Sequence, residues 1–368
     1  MGSLARRTIV PATVALATAL PACHTAPAAL QPLTNTARAR DTFCTADGVT
    51  LTGTCAPEAD AAARAPLTQH TFATDGLDFD PDVASGAGLL AFASTRHSEH
   101  SAIFVQPLGS RDSVQLTPDT ADHIQPRFSP DGEHIAFASN RGGDWDIWVM
   151  RRDGTGLIPL ANDPAAEFSP CWSPDGTQIA FSVWSRRART WEIWGCPVAR
   201  PAARRLITTG MCPAWSPDGT CLAVQRAPQG GDRAFEIWTV DVASGNARRI
   251  AEKHGAACLA PRWSPDGKAL LYCAVPTTVS AAGAGRDSPE IAELWTVDVR
   301  TGAEVRLPAA QGASFSPAWA ADGRIFFVSG MSGTERIWSL APETALLASG
   351  QSASGREHII TTRFTAID

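Results

Sequence analysis

The chain has 368 residues, 44% of them hydrophobic, and a formal charge of −6, which is enough apolar material for one large domain or two ordinary ones. An acidic surface repels phosphate backbones, so the composition argues against a nucleic-acid partner. Glycine (30) and proline (27) are frequent, and tryptophan (12) far outnumbers tyrosine (1), a mixture that suits short strands and tight turns rather than long helices.

Residues 1–22 read as an export signal, with Arg6 and Arg7 as its basic start and Ile9 to Leu20 as an apolar run, interrupted by Pro11, too short to span a bilayer. The signal ends in Leu20-Pro21-Ala22-Cys23, which resembles the lipobox of bacterial lipoproteins. That resemblance implies a lipid on the Cys23 thiol and an exported, periplasmic, membrane-anchored protein.

Residues 23–70, rich in alanine, threonine and proline, read as a tether. Within it Cys44 and Cys55 flank the turn pair Asp47-Gly48, so a disulfide-pinned hairpin is expected there. The other six cysteines, Cys171, Cys196, Cys212, Cys221, Cys258 and Cys273, fall inside the repeats described next. Their pairing stays open, with buried free thiols as the alternative. The missing Cys-x-x-Cys spacing argues against a structural zinc site.

From residue 71 onward internal repetition dominates. Four segments carry an aromatic followed by Ser-Pro-Asp-Gly: Phe128 to Gly132, Trp172 to Gly176, Trp215 to Gly219 and Trp263 to Gly267. A fifth, Trp319 to Gly323, is degenerate, and a sixth, Val83 to Ala87, keeps only its flanks. A proline stands two positions before each aromatic or valine, at Pro81, Pro126, Pro170, Pro213, Pro261 and Pro317. The steps between them are close to one four-stranded blade each.

Proline presets φ at the second turn position, aspartate tolerates the third, and glycine accepts the positive φ that follows, so each copy joins two antiparallel strands. A third strand follows, seen in Asp146 to Val149, Glu192 to Trp194, Glu236 to Val240, Glu293 to Val297 and Arg336 to Trp338, and then a fourth. The expected fold is all-β, a six-bladed β-propeller of four-stranded antiparallel blades over 71–368. Its tryptophans are assigned to packing between blades. Ring closure is assigned to Glu357 to Thr362, with His70 to Ala73 as an added latch, so removal of residues 1–70 is expected to leave a cooperative fold.

These repeats resemble those of the TolB-like, WD40-like propeller family, in which an aromatic before Ser-Pro-Asp-Gly is followed by an Ala-Phe strand and a Ser-x-Arg loop. Phe92 to Arg96 and Phe137 to Arg141 carry that loop pattern. The resemblance covers roughly residues 77–366 and implies periplasmic protein–protein binding. It stops short of TolB itself, whose additional N-terminal α/β domain has no counterpart in residues 23–70.

No Gly-x-Ser-x-Gly elbow or Gly-x-x-x-x-Gly-Lys loop occurs, so no cofactor is implied. The polar constellation that remains is His97, Glu99 and His100 in the loop between the second and third strands of the first blade, Asp122 and His123 in the crossing to the second, and His254 in the crossing to the fifth. These are the candidate partner-contacting residues. If His97 or His100 met His123 they would form a zinc or manganese site, the basis of an alternative reading as a metal-dependent saccharide lyase or hydrolase. The first reading is a non-catalytic scaffold for an envelope protein or cell-wall component.

Overall fold

A computed structural model of the chain describes residues 67–160, 165–228, 235–277, 292–308 and 314–341. The repeated turn is its smallest unit. In Ser173-Pro174-Asp175-Gly176 the Ser173 hydroxyl donates to Asp175 Oδ1 (2.5 Å) and accepts from Gln178 N (3.0 Å), while Thr177 N reaches the same carboxylate oxygen (3.0 Å). Hydroxyl, carboxylate and backbone thus close one hairpin without help from elsewhere. The glycine has two reasons to be there: Gly219 has φ +71°, and a Cβ on it would come within 3.2 Å of Pro174 in the preceding blade. Each turn is therefore also a contact between blades.

The turns join first to second strands in six four-stranded antiparallel sheets. In blade 2 the strands are His123–Phe128, His134–Ser139, Asp146–Arg151 and Ile158–Pro159, paired in that order. The innermost strands of the other blades are Asp78–Ala84, Glu167–Trp172, Met211–Trp215, Ala256–Trp263 and Ser314–Trp319. Each touches the next, and the last returns to the first. The sheets cannot hide their apolar faces alone, so the core is built between them. Leu90, Phe92 and Phe104 of blade 1 pack on Ala318, Phe326 and Ile337 of blade 6, and Ala180 and Ile193 of blade 3 pack on Leu222, Val224 and Val240 of blade 4.

The pattern of glutamate, isoleucine or leucine, and tryptophan in the third strands has a local cause. Each glutamate accepts the indole N–H of the tryptophan two residues on, Trp194 to Glu192 (3.0 Å), Trp238 to Glu236 (2.8 Å) and Trp295 to Glu293 (3.0 Å). These tryptophans are half-buried at the rim, with Arg204, Arg226 and Lys253 over their faces. Blades 2 and 6 carry Asp146 and Arg336 at the glutamate position, and the Trp148 and Trp338 indoles have no acceptor among the described residues.

Ring closure differs from the sequence expectation. The outer strand of blade 6 is Leu67–Gln69, paired antiparallel with Arg336–Leu340. The favoured candidate, Glu357 to Thr362, lies outside the described residues, as do the leader, Cys23, Cys44 and Cys55. The physical reason is register: Leu67 faces Leu340 and packs on the core, and His70 N continues the ladder to Ile337 O (2.8 Å). The closing strand therefore falls inside the segment assigned to the tether. The six blade cysteines are free thiols, and Cys196, Cys212, Cys258 and Cys273 are buried.

Candidate functional site

Each innermost strand breaks register at the same place. The residue before each repeated proline, Asp80, Gln125, Ser169, Cys212, Ala260 or Ser316, has φ between 48° and 56°, a left-handed conformation costing a side-chain-bearing residue about 1 kcal/mol or more. The strand bulges there, and pairing resumes two residues on, as between Ile124 and Arg127. The bulge is held in the ring: Ser169 N donates to Gln125 Oε1 of blade 2 (2.6 Å), and Ala260 N donates to Gln225 Oε1 of blade 4 (2.9 Å).

After the bulge, the residue following the proline reaches the open centre of the ring in five of the six blades. Asp82, Arg127, Cys171, Ala214 and Arg262 thereby line a cavity of about 460 Å³ on the turn side of the ring. The sixth, Ala318, is in the core between blades 6 and 1. Phe128, Trp172, Trp215, Trp263 and Trp319 form the mouth, with residues from all six blades in the wall. The collar is sewn across blades: the Trp172 indole donates to Arg127 O (3.0 Å), that of Trp263 to Ala214 O (3.0 Å), and Phe128 N to Asp82 Oδ2 (2.8 Å). Deeper in, between Gln125, Ser169, Cys212 and Ala260, the space shrinks to about 10 Å³, room for about one water.

Two guanidinium groups and two carboxylates, of Asp82 and Asp131, stand in the wall of this cavity, and both guanidinium groups reach its narrow inner end. Arg127 Nη1 donates to Pro126 O (2.7 Å) and Arg262 Nη1 to Pro261 O (3.0 Å). Arg262 Nε is closed off from solvent without an acceptor. Burial, and then the nearby Arg127 charge, bring the Arg262 pKa down to about 10. Burial pushes the Cys171 thiol up, so it stays protonated. The wall serines Ser129 and Ser264 are committed to Asp131 and Asp266 (2.5 and 2.7 Å). The cavity can hold and orient a ligand, and at its inner end the cationic pair favours a negative group.

The model of the tricorn protease N-terminal beta propeller domain matches residues 145–354, more than half of the chain. The chain belongs to that family. Its repeats are of the TolB-like type: it is 37% identical over 60 residues to the Tol-Pal system protein TolB of Syntrophus aciditrophicus (16% of this chain, 13% of that one). It is 34% identical over 77 residues to an uncharacterized protein of Agrobacterium fabrum (21% and 22%). The chain thus spans less than a quarter of the length of the curated relatives it matches. Among solved structures, a TolB-type protein of Agrobacterium tumefaciens superposes with a TM-score of 0.56 at 18% identity, covering 72% of this chain and 90% of that one. An oligogalacturonate lyase of Vibrio parahaemolyticus superposes with 0.53 at 14%, covering 78% and 96%. At these identities the likeness is one of fold.

In this tricorn-type propeller the residues singled out in the sequence lie on the face opposite the aromatic mouth, where second-to-third-strand loops and crossings emerge. His97 is exposed, bonds Gln115 Oε1 (3.2 Å) and meets Phe104 edge-on. Glu99 and His254 are exposed. His100 Nδ1 lies 3.5 Å from Asp122, whose Oδ1 accepts Ser101 N (3.0 Å) and so fastens blade 1 to blade 2. His123 is buried, with Nε2 at 2.5 Å from Asp119 Oδ1 and Nδ1 unpartnered. Burial lowers its pKa against the pull of Asp119. Among the described residues no three His, Cys, Asp or Glu side chains gather as a metal site.

The sequence reading missed Arg127 and Arg262. Their signal was one position in the repeat, between an unvarying proline and an aromatic, whose residue type changes from blade to blade. It also placed all the tryptophans in the core, whereas Trp215, Trp263 and Trp319 are half-buried at the mouth.

Proposed function

We propose that the protein is a non-catalytic, exported binding scaffold, anchored by lipid at Cys23, that receives an envelope protein or cell-wall component at the aromatic mouth of its propeller. The observation that carries this reading is the cavity itself. It is open, collared by aromatic rings and shared by six blades, and its hydroxyls and thiol are engaged in turns or held protonated. The enzyme alternative, a metal-dependent saccharide lyase or hydrolase, needs His97 or His100 beside His123, with carboxylates completing the ligand set. What supports the scaffold over it is that His123 Nε2 is engaged by Asp119 and His100 lies against Asp122, so the histidines are paired with separate carboxylates rather than with one another.

Cross-linked capture from membranes tests the reading. The wild-type chain and a His97→Ala/His254→Ala variant should retain the same co-purifying partner, and Trp319→Ala should lose it. Cys23→Ser should move the protein out of the membrane fraction. Loss of capture in the histidine variant alone would transfer the site to the opposite face. Stoichiometric zinc or manganese that disappears in His100→Ala and His123→Ala would replace the scaffold with the enzyme.

A further inference from the structure

We propose that the cavity is a carboxylate site, in which Arg127 and Arg262 together grip the acidic tip of a protein segment that enters end-first through the aromatic mouth. The inference rests on the scaffold reading and adds the chemistry of what is bound.

Blades 2 and 5 stand across the ring from one another, and their arginines line both the cavity and the narrow space beneath it. Each guanidinium spends one nitrogen on the carbonyl of its own preceding proline. Neither Nη2 has a protein acceptor among the described residues, and neither arginine is in an ion pair there. The acids in the wall are Asp82, whose Oδ2 accepts the backbone N–H of Phe128 (2.8 Å), and Asp131, exposed in its turn and held by Ser129. Both carboxylates are engaged toward the mouth, while the narrow inner end is lined by the two arginines and, among the described residues, by no acid, which leaves that end positive inside a chain whose net charge is −6. A like-charged pair brought together with no ion-pair partner, only the more distant Asp82 charge acting on Arg262, opposes folding. Retaining it at the inner end of a cavity makes sense when an anion completes it. A guanidinium offers a planar fork that fits a carboxylate through charge-assisted hydrogen bonds.

Shape narrows the class. The mouth is aromatic and proline-rich, so the group behind the charge presents apolar surface. Beneath the arginines the space at Gln125, Ser169 and Cys212 is about 10 Å³, room for about one water and not for a continuing chain. What enters must end there, as a C-terminal carboxylate or an acidic side chain at the tip of a loop does. Its main-chain and side-chain apolar groups would lie against Trp215 and Trp263.

The test uses the full chain at constant ionic strength and two probes, acetyl-Ala-Ala with a free C-terminal carboxylate and acetyl-Glu amide with an acidic side chain, followed by tryptophan fluorescence and thermal midpoint. Binding of either probe, raising the midpoint, is the expected result, and the tighter probe says which carboxylate is meant. Arg262→Met and Arg127→Met should each weaken binding roughly ten- to hundredfold. In probe-free buffer each should leave the midpoint equal to or above that of the wild type, because a like charge has been removed. If Arg262→Met fails to fold, Arg127→Met carries the same comparison. No response to either probe, an undiminished response in both variants, or a response to sulfate or tetragalacturonate stronger than to either peptide would overturn the proposal. Partner capture that survives in Arg262→Met would overturn it while leaving the scaffold standing.

Discussion

His70 shows how much one side chain can carry. Its Nε2 lies 2.8 Å from Ser339 Oγ, its ring lies 4.8 Å from that of Phe326, and its carbonyl accepts Gln106 Nε2 (2.9 Å), so it joins the first and last blades. Burial, helped by the Arg324 charge, lowers its pKa to about 4. Folding therefore holds it neutral, while the unfolded chain protonates near 6.5. Stability is fully present above pH 6.5 and falls as the pH drops from there toward 4, because the unfolded state binds the proton first. The loss from this residue is on the order of 3 kcal/mol at the acid end. Urea midpoints measured from pH 7.5 to 4 should fall steeply for the wild type and less steeply for His70→Gln. The turn carboxylates add a separate acid effect, since Ser173 and backbone N–H groups hold Asp175 below the usual carboxylate range. Their contribution disappears only below about pH 4.

At the scale of the element, the closing strand is short and decisive. Leu67–Gln69 supplies the outer ladder of blade 6, and without it Arg336–Leu340 presents an unpaired edge. A chain beginning at residue 65 should unfold in one cooperative transition and remain monomeric. A chain beginning at residue 71, the boundary drawn from composition, should unfold at a lower urea midpoint and self-associate in sedimentation. The repeated elements were legible because each carries its own instructions: Ser-Pro-Asp-Gly closes its hairpin internally, and Glu-Ile-Trp satisfies its own indole. Leu67 to Gln69 carries no such signature. It differs little from the sequence around it, and its partner is about 270 residues away.

For the propeller as a whole, the seam is locked by charge as well as by pairing. Arg336, only 2% exposed, donates to the carbonyls of Gly76 and Ala73 and lies 3.8 Å from Asp78, which also accepts Arg96 (2.7 Å) and Ser94 (2.6 Å). Breaking a buried pair from one side leaves carbonyls and a carboxylate under-satisfied, at about 3 kcal/mol or more. Arg336→Met should lower stability by that amount. Hydrogen exchange should quicken first in Leu67–Gln69 and Arg336–Leu340, while the second strands of blades 3 and 4 stay protected.

What the amino-acid sequence determined by itself is the blade and its copy number, because turn chemistry, strand alternation and the glutamate–tryptophan bond all act within a few residues. It also contained the varying position between proline and aromatic, but not its meaning. Only the closed ring decides that Arg127 and Arg262, 135 positions apart, face one cavity, that the favoured histidines lie on the other side, and that the N-terminal strand seals the last blade. These are relations between distant segments, set by the left-handed bulge and by six sheets covering one another, and no local pattern encodes them.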